Sequence, residues 1–248
     1  MHNYFDAPVA AQYDDPADPM FDPGLLDRTT AFLAEQAEGG PALEFAIGTG
    51  RVALPLAARG ITVSGIEYSP AMVALLRAKA GGDDLPVTIG DMATTRLPGS
   101  FALVYLVFNS LPNLVTQERQ VACFRNAAAH LRPGGRFVLE IGVPIVQHVP
   151  IGQTMHVFDR GARHVGIDEI DVVTQQMWSH HYSFDVSGES AGPSYRLDSV
   201  PFRYVWPSEL DLMAQLAGLE KVGRWADWER HEFTATSTSH VSVWRRPG

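Results

Sequence analysis

The fold is decided by the stretch Pro41-Ala-Leu-Glu-Phe-Ala-Ile-Gly-Thr-Gly-Arg-Val-Ala53. Its apolar residues up to Ile47 predict a short buried strand. Gly48 and Gly50 then permit a tight turn and leave space for a ligand against bare backbone. The apolar residues that follow, within 51–59, predict a helix. A strand, a glycine turn and a helix in this order indicate a site for a nucleotide-type ligand.

The composition is that of a globular protein, with 46% hydrophobic and 19% charged residues among 248. This length fits one domain that carries an insertion. The formal net charge of −9 argues against nucleic acid or an anionic membrane as a partner, because neutralising phosphates needs clustered Lys and Arg. Cys123 is the single cysteine, so no intrachain disulfide can form. Its apolar neighbours predict a small buried hydrophobic residue.

Targeting and membrane signals are weak in this sequence. The first residues lack the basic and apolar regions of a signal peptide. The longest apolar run, residues 102–108, is far shorter than the roughly 20 residues that a membrane span needs. We therefore expect a soluble, cytoplasmic protein.

Strands and helices alternate between residues 41 and 143, which predicts a parallel sheet covered by helices on both faces. The Ser69-Pro70 pair supplies a helix cap and a first-turn proline, and Arg132-Pro-Gly-Gly is a helix stop. The predicted helices lie near 25–37, 51–59, 69–80 and 116–131, and the predicted strands near 41–47, 61–66, 86–89, 101–108 and 137–143.

The pattern changes after residue 150. Four strand-like runs near 155–158, 165–173, 176–186 and 195–206 predict a small antiparallel sheet, with a turn at 187–193. A helix to residue 217 and strands near 219–225 and 240–244 close the chain. The expected organisation is an N-terminal arm at 1–23, a core at 24–149 and 207–248, and an antiparallel β lid inserted at 150–206.

A loose dinucleotide fingerprint, Gly48-x-Gly50-x-x-Ala53, follows the first strand. Glu67 lies 19 residues after Gly48, at the tip of the second strand, where a carboxylate can bind both hydroxyls of a ribose. A nicotinamide dinucleotide and S-adenosylmethionine both fit these features.

Three further features separate the two ligands. Glu44 lies inside the first strand, Gly90-Asp91-Met92 follows the third strand, and Leu131-Arg-Pro-Gly-Gly-Arg136 precedes the fifth. This ordered set resembles the class I S-adenosylmethionine-dependent methyltransferase family over residues 40–143, and Ala10-Ala-Gln-Tyr-Asp14 resembles the segment that commonly precedes its fold. The resemblance implies an α/β, doubly wound, Rossmann-like sheet of seven strands in the order 3-2-1-4-5-7-6, with the last strand antiparallel.

One departure from the family pattern lies in the first motif, which is usually an acid followed by x-G-x-G-x-G. Ala46 stands where the first glycine is usual, and Ile47 stands where a small residue or cysteine is common. We expect the methyl group of Ala46 to narrow the approach of the methionine part of the cofactor without closing it.

The resemblance also implies roles for individual residues. Glu67 would hold the ribose hydroxyls, Asp91 would reach the adenine amine, and Asn109, at the end of the fourth strand, would lie near the transferring methyl. The predicted cofactor-binding residues are Tyr13, Glu44, Ala46, Gly48, Gly50, Arg51, Glu67, Tyr68, Met72, Asp91, Met92, Phe108, Asn109 and Ser110. The catalytic candidates are Tyr13, Asn109 and His148. No histidine spacing defines a metal site, so we expect none.

The acceptor is specified less clearly than the cofactor. The aromatic residues of the predicted lid are candidates for core packing or for the wall of an acceptor pocket, and Glu140 could face the pocket or pair at the edge of the core. We expect a small-molecule acceptor, S-adenosylhomocysteine as the product, and a monomer or homodimer. The alternatives are a peptide-amine methyltransferase, an NAD(P)-dependent oxidoreductase and a non-catalytic S-adenosylmethionine-binding protein. An oxidoreductase predicts a catalytic Tyr-x-x-x-Lys motif, which this sequence does not contain.

Overall fold

A computed structural model describes residues 4–16, 18–185 and 195–248, without the side chains of Pro8, Gln147 and His148. The predicted turn at 187–193 lies outside these residues. A seven-stranded sheet forms the centre of the core. Its strands are β1 (Ala42–Phe45), β2 (Val63–Glu67), β3 (Val87–Ile89), β4 (Phe101–Leu106), β5 (Leu131–Gly142), β10 (Glu220–Trp225) and β11 (Ser239–Arg245).

The strand order confirms the predicted topology. It runs β10-β11-β5-β4-β1-β2-β3, which is 3-2-1-4-5-7-6 when the seven strands are counted along the chain. Strands β1 to β5 pair in parallel, and β11 pairs antiparallel with β5 and with β10. Parallel strands joined by helices place all their carboxyl ends at one edge of the sheet.

Helices cover both faces of this sheet, as in a doubly wound fold. They are α1 (Ala7–Ala10), α2 (Pro23–Ala37), α3 (Ala53–Ala58), α4 (Pro70–Arg77), α5 (Gln117–His130) and α6 (Pro207–Leu216), with 3-10 turns at Pro19–Phe21, Leu111–Asn113 and Ile145–His148. One apolar cluster joins α2, α3 and α4 to the sheet, and a second joins α5 and α6 to the opposite face. All six residues of β4 are buried between the two clusters.

Local sequence sets the ends of these helices. The Ser69 side chain accepts a hydrogen bond from the Met72 N–H and Pro70 opens α4, as the Ser-Pro pair predicts. Helix α5 ends at His130, and β5 begins at Leu131 rather than at the predicted residue 137. That prediction was wrong because the Pro-Gly-Gly segment already belongs to the sheet: Leu131 pairs with Phe101 of β4, and Gly134 donates a hydrogen bond to the Arg246 carbonyl. Cys123 is buried in the core, as predicted.

A second sheet contains four antiparallel strands, which confirms the small antiparallel lid. They are β6 (Met155–Arg160), β7 (His164–Asp171), β8 (Gln176–Phe184) and β9 (Tyr195–Arg203), and they pair in chain order. These strands fall within the predicted insertion at 150–206, and the division of the chain into arm, core and lid stays a prediction. Within the described ranges, every helix is too short or too polar to cross a membrane.

The end of the lid is fixed to the core by a buried polar network. Arg203 forms an ion pair with Glu209 of α6 at 2.7 Å, and both side chains are largely buried. The Arg203 guanidinium also donates to Gln120 of α5 at 2.6 Å and to Gln175 at 3.0 Å. The ion pair and the hydrogen bonds compensate the two buried charges, which have lost their contact with water.

We expect Arg203→Ala to lower the free energy of unfolding by about 3–5 kcal/mol, because it leaves the Glu209 carboxylate buried without its cation. Urea denaturation measures the loss. The control is Arg196→Ala in the exposed Arg196–Asp198 pair, which should change the free energy by no more than about 1 kcal/mol. Equal effects of the two substitutions would show that the network does not hold the lid to the core.

Candidate functional site

Both glycines of the turn after β1 are needed for its backbone conformation, and Gly50 is needed for packing as well. Gly48 and Gly50 have φ of +57° and +78°, in the left-handed region that glycine adopts without strain. A Cβ on Gly50 would also lie 3.1 Å from the Leu76 side chain of α4. The turn therefore packs against α4 while it keeps bare backbone toward the ligand.

Ala46 has a left-handed backbone with φ of +51°. An L-residue in this conformation costs roughly 1–2 kcal/mol, which explains why glycine is usual at this point of the motif. Its side chain lines two adjoining cavities at the carboxyl ends of the strands. That its methyl group narrows the approach of the methionine part stays a prediction.

Glu67 ends β2 and fixes the glycine turn from the side. Its Oε2 accepts a hydrogen bond from the Gly48 N–H and its Oε1 accepts one from the Ser69 N–H, both at 2.8 Å. Burial raises the pKa of Glu67, while these N–H groups oppose the rise. Each carboxylate oxygen keeps acceptor capacity, so the group can receive hydroxyl donors from a ligand.

The first cavity lies at the ends of β2 and β3 and is lined mainly by apolar side chains. It has a volume of about 230 Å³ and includes Glu67, Tyr68, Asp91, Met92 and Ser110 in its wall. Asp91 already pairs with Arg119 and accepts from the Ala93 N–H. Its carboxylate is therefore held in place, with capacity for one more donor from the cavity.

The second cavity adjoins the first, since Ala46 and Ser110 line both. It also contains Tyr13, Gly48, Phe108, the Glu44 carboxyl group and the Arg51 guanidinium. The Glu44 carboxylate accepts from the Tyr105 hydroxyl at 2.9 Å, because the register of β1 and β4 places these residues opposite each other. Burial raises the pKa of Glu44 to about 8.

Arg51 is held across the second cavity. Its guanidinium lies 4.6 Å from the centre of the Phe108 ring, in a cation–π contact. It also donates to the Met20 carbonyl at 2.8 Å. A carboxyl group and a guanidinium fixed in one small cavity suit a ligand that carries both an ammonium and a carboxylate, since an ammonium beside Glu44 favours its ionised form.

The end of β4 is a strained turn. Phe108 and Asn109 both have positive φ, +57° and +53°, which is unusual for residues other than glycine. The Glu140 carboxylate accepts a hydrogen bond from the Phe108 N–H at 2.5 Å, and the Asn109 Oδ1 accepts one from the Gly142 N–H at 3.1 Å. Glu140, for which the sequence left two readings open, therefore faces this turn and holds it.

The N-terminal arm is tied to the glycine turn by contacts that sequence reasoning missed. Asp14 accepts from the Thr49 hydroxyl at 2.7 Å and pairs with Lys79 at 2.6 Å, and Lys79 donates to the Thr49 carbonyl. These contacts bring Tyr13 to the second cavity. Burial raises the pKa of Tyr13, so its phenol remains a hydrogen-bond donor at neutral pH.

A third cavity, the lid cavity, lies between the lid and the carboxyl ends of β4 and β5. Its volume is about 270 Å³. Asn109 lies on the core side, and Asp168, Ile170 and Met177 lie on the lid side. Asn109 lines the lid cavity, whereas its neighbours Phe108 and Ser110 line the second cavity. Asn109 therefore lies where the two spaces approach each other.

The structure brings most predicted site residues to these three cavities. Gly50, within the glycine turn, and Met72, on α4, are buried instead. His148 ends the 3-10 turn after β5, and its side chain lies outside the described residues. Asp227, Glu229 and His231 bring possible ligand atoms within 4.8 Å of one another at the surface, where acidic groups commonly cluster without an ion. The absence of a metal stays a prediction.

Comparison with known proteins gives the family. Residues 42–135 match the model of a methyltransferase domain family. The structure superimposes on the CcbJ methyltransferase from Streptomyces caelestis with a TM-score of 0.81, at 36% identity over 98% of this chain and 96% of that chain. The chain belongs to the class I S-adenosylmethionine-dependent methyltransferases. The predicted family and fold are confirmed, and S-adenosylmethionine is the cofactor.

Two other similar proteins are methyltransferases. The cypemycin N-terminal methyltransferase of a Streptomyces species is 26% identical over 216 residues, which are 84% of each chain. CalS10 from Micromonospora echinaspora, an amino pentose methyltransferase involved in calicheamicin biosynthesis, was solved with S-adenosylmethionine bound. It shares the fold at a TM-score of 0.68 and 23% identity, over 99% of both chains. These comparisons do not favour the oxidoreductase or the non-catalytic alternative.

The chemistry of the two adjoining cavities fits S-adenosylmethionine. The apolar first cavity, with Glu67 and Asp91 in its wall, suits an adenosine. The second cavity, with Glu44 and Arg51, suits the ammonium and carboxylate of a methionine. One cleft thus offers suitable groups to both halves of the cofactor.

We expect Glu44 to make stability depend on pH. A raised pKa means that the folded state keeps a proton that the unfolded state loses above about pH 4.5. The stabilisation is present at low pH and is lost as pH rises through about 8. From pH 6 to pH 8, the wild type should lose about 2 kcal/mol relative to Glu44→Gln.

Urea denaturation of the cofactor-free protein at both pH values measures this difference. Glu220→Gln, in an exposed ion pair, is the matched control and should follow the wild type. An equal loss in Glu44→Gln and the wild type would mean that Glu44 is ionised throughout this range.

Proposed function

We propose that this methyltransferase transfers a methyl group to an oxygen or nitrogen of a small-molecule acceptor in natural-product metabolism. The observation that carries the proposal is the lid cavity, which adjoins the end of β4 at Asn109. A volume of about 270 Å³ suits a small molecule or one part of it. The calicheamicin pathway named for CalS10 supports the same class of acceptor.

Roles for the cofactor-binding residues follow from their places in the cleft. Glu67 would accept the ribose hydroxyls, and Asp91 would accept from the adenine amine beside Met92 and Tyr68. Glu44 and Arg51 would bind the ammonium and carboxylate of the methionine part. Bound in this way, S-adenosylmethionine supplies a methyl group on a sulfonium, which an acceptor lone pair displaces in line.

The chain itself contributes alignment and exclusion of water. Tyr13, held by the arm, would close the second cavity over the reacting groups, and Asn109 would position the acceptor from the core side. Proximity of this kind supplies roughly 7–11 kcal/mol in ideal cases. His148 remains our candidate for a base, to be tested by substitution.

We expect Glu67→Ala to weaken binding of S-adenosylhomocysteine about tenfold or more, because charge-assisted hydrogen bonds to the ribose are lost. Isothermal calorimetry gives the affinity. The control is Glu220→Ala, which changes an exposed residue of β10. This variant should bind S-adenosylhomocysteine as the wild type does. Unchanged affinity in Glu67→Ala would remove this residue from the ribose site.

We expect substitution of Asn109 to impair turnover about tenfold while affinity for S-adenosylhomocysteine changes by less than about threefold. Asn109→Gly removes the side chain and still permits the positive φ, whereas Asn109→Ala adds strain. Turnover and affinity are measured for both variants. Equal losses of turnover and cofactor affinity in Asn109→Gly would contradict a role on the acceptor side.

The proposed function is tested with a labelled methyl donor and a metabolite extract of a Streptomyces culture. Label recovered in molecules that pass a 3-kDa filter and lack peptide bonds supports the proposal. Label found only on peptides would favour the peptide-amine alternative. Release of S-adenosylhomocysteine and label transfer should both fall in Glu67→Ala when the methyl donor is below saturation.

A further inference from the structure

The lid cavity contains one buried carboxylate whose role the family resemblance does not explain. Asp168 lies on β7 and is 7% exposed. It lines the cavity together with Asn109, which lies on the core side. Among the residues that the structure describes, no group donates a hydrogen bond to its buried Oδ1.

The register of the lid shows which face Asp168 occupies. It lies opposite His156 of β6 and opposite Ser179 of β8. Ile170 and Met177 form the next pair on the same face, and both line the cavity. Glu169 lies on the other face of β7, because neighbouring residues of a strand point to opposite sides.

The groups around Asp168 leave part of its charge uncompensated. Ser179 gives a side-chain hydrogen bond, and His156, His180 and His181 lower its pKa through their charges, but burial outweighs them and the pKa of Asp168 is raised. No ion pair of Asp168 occurs within the described ranges at 4.0 Å or less. A buried carboxylate with an unpaired oxygen is costly, and a cation in the cavity would relieve that cost.

We propose that the lid cavity binds the acceptor as an ammonium ion, paired with Asp168, so that the substrate is a primary or secondary amine. The inference rests on the proposed function, since it names the acceptor class of that same site. A carboxylate or phosphate would be repelled by Asp168. A neutral alcohol could donate one hydrogen bond but would leave the buried charge uncompensated.

The same carboxylate accounts for the proton of the reaction. An ammonium has no lone pair, so it first gives a proton to the Asp168 carboxylate. The freed nitrogen lone pair forms the new bond to the methyl carbon, and the electron pair of the breaking carbon–sulfur bond stays on sulfur. The product is a methylated ammonium and S-adenosylhomocysteine, and the proton on Asp168 exchanges with water when the product leaves.

Cyclohexylammonium and its neutral counterpart cyclohexanol test the charge preference of the cavity. With S-adenosylhomocysteine bound, saturating cyclohexylammonium chloride should raise the Tm of the wild type by about 2–4 °C above an equal concentration of sodium chloride. Cyclohexanol should give no comparable rise. Asp168→Asn should lose the response to cyclohexylammonium, whereas Glu169→Gln, on the opposite face of the same strand, should keep it.

A second measurement separates binding from folding. Without any ligand, Asp168→Asn should raise the Tm by about 2–4 °C, because it removes a buried unpaired charge, and Glu169→Gln should leave the Tm unchanged. A lower Tm in Asp168→Asn would mean that the fold uses the carboxylate, and the proposal would be wrong. Equal responses to the two probes, no response in the wild type, or a response that survives in Asp168→Asn would also overturn it.

The two proposals fail in distinguishable ways. Methyl transfer to small molecules that occurs only at hydroxyl groups would leave the proposed function intact and overturn the amine inference. Absence of any transfer to small molecules would overturn the proposed function, while the thermal response to cyclohexylammonium would still show whether Asp168 forms a cation site.

Discussion

The cleft depends on a backbone constraint at the carboxyl ends of two neighbouring strands. β1 leaves the sheet through Ala46, and β4 leaves it through Phe108 and Asn109, and all three residues have positive φ. The chain after β1 continues to β2 on one side, and the chain after β4 continues to β5 on the other. The two turns therefore separate, and an open α/β sheet binds its ligand in the crevice between them.

Three carboxylates maintain this crevice, each through a different partner. Glu67 holds the turn after β1, Glu140 holds the turn after β4, and Glu44 is bound by Tyr105 across the two strands. Burial raises the pKa of each, and the neighbouring hydrogen-bond donors oppose that rise. The groups that hold the backbone turns therefore also determine the electrostatic potential around a bound, cationic sulfonium cofactor.

The arm and the lid complete the site from outside the sheet. Asp14 connects the arm to Thr49 and Lys79 at the glycine turn, and Arg203 connects the lid to Glu209 and Gln120. Both connections are polar and join each covering segment to a residue of the core, so each segment has a defined position over the strand ends. Methyl transfer benefits from such positions because its rate depends on alignment and on exclusion of water.

Hydrophobic periodicity in the sequence predicted the alternating strands and helices and the strands of the lid, because periodicity acts over short distances along the chain. The family and the strand order were implied by the resemblance that Glu44, Gly48 and Glu67 help to carry. The sequence also identified Ala46 as unusual. It did not determine where β5 begins, since Pro-Gly-Gly signals a helix stop whether a turn or a strand follows. Only the tertiary structure brought Asp14 to Thr49, Glu140 to Phe108 and Asp168 to the lid cavity with Asn109. Those partners are 32 to 59 residues apart in sequence, and no local pattern records which distant backbone or side chain a carboxylate will meet.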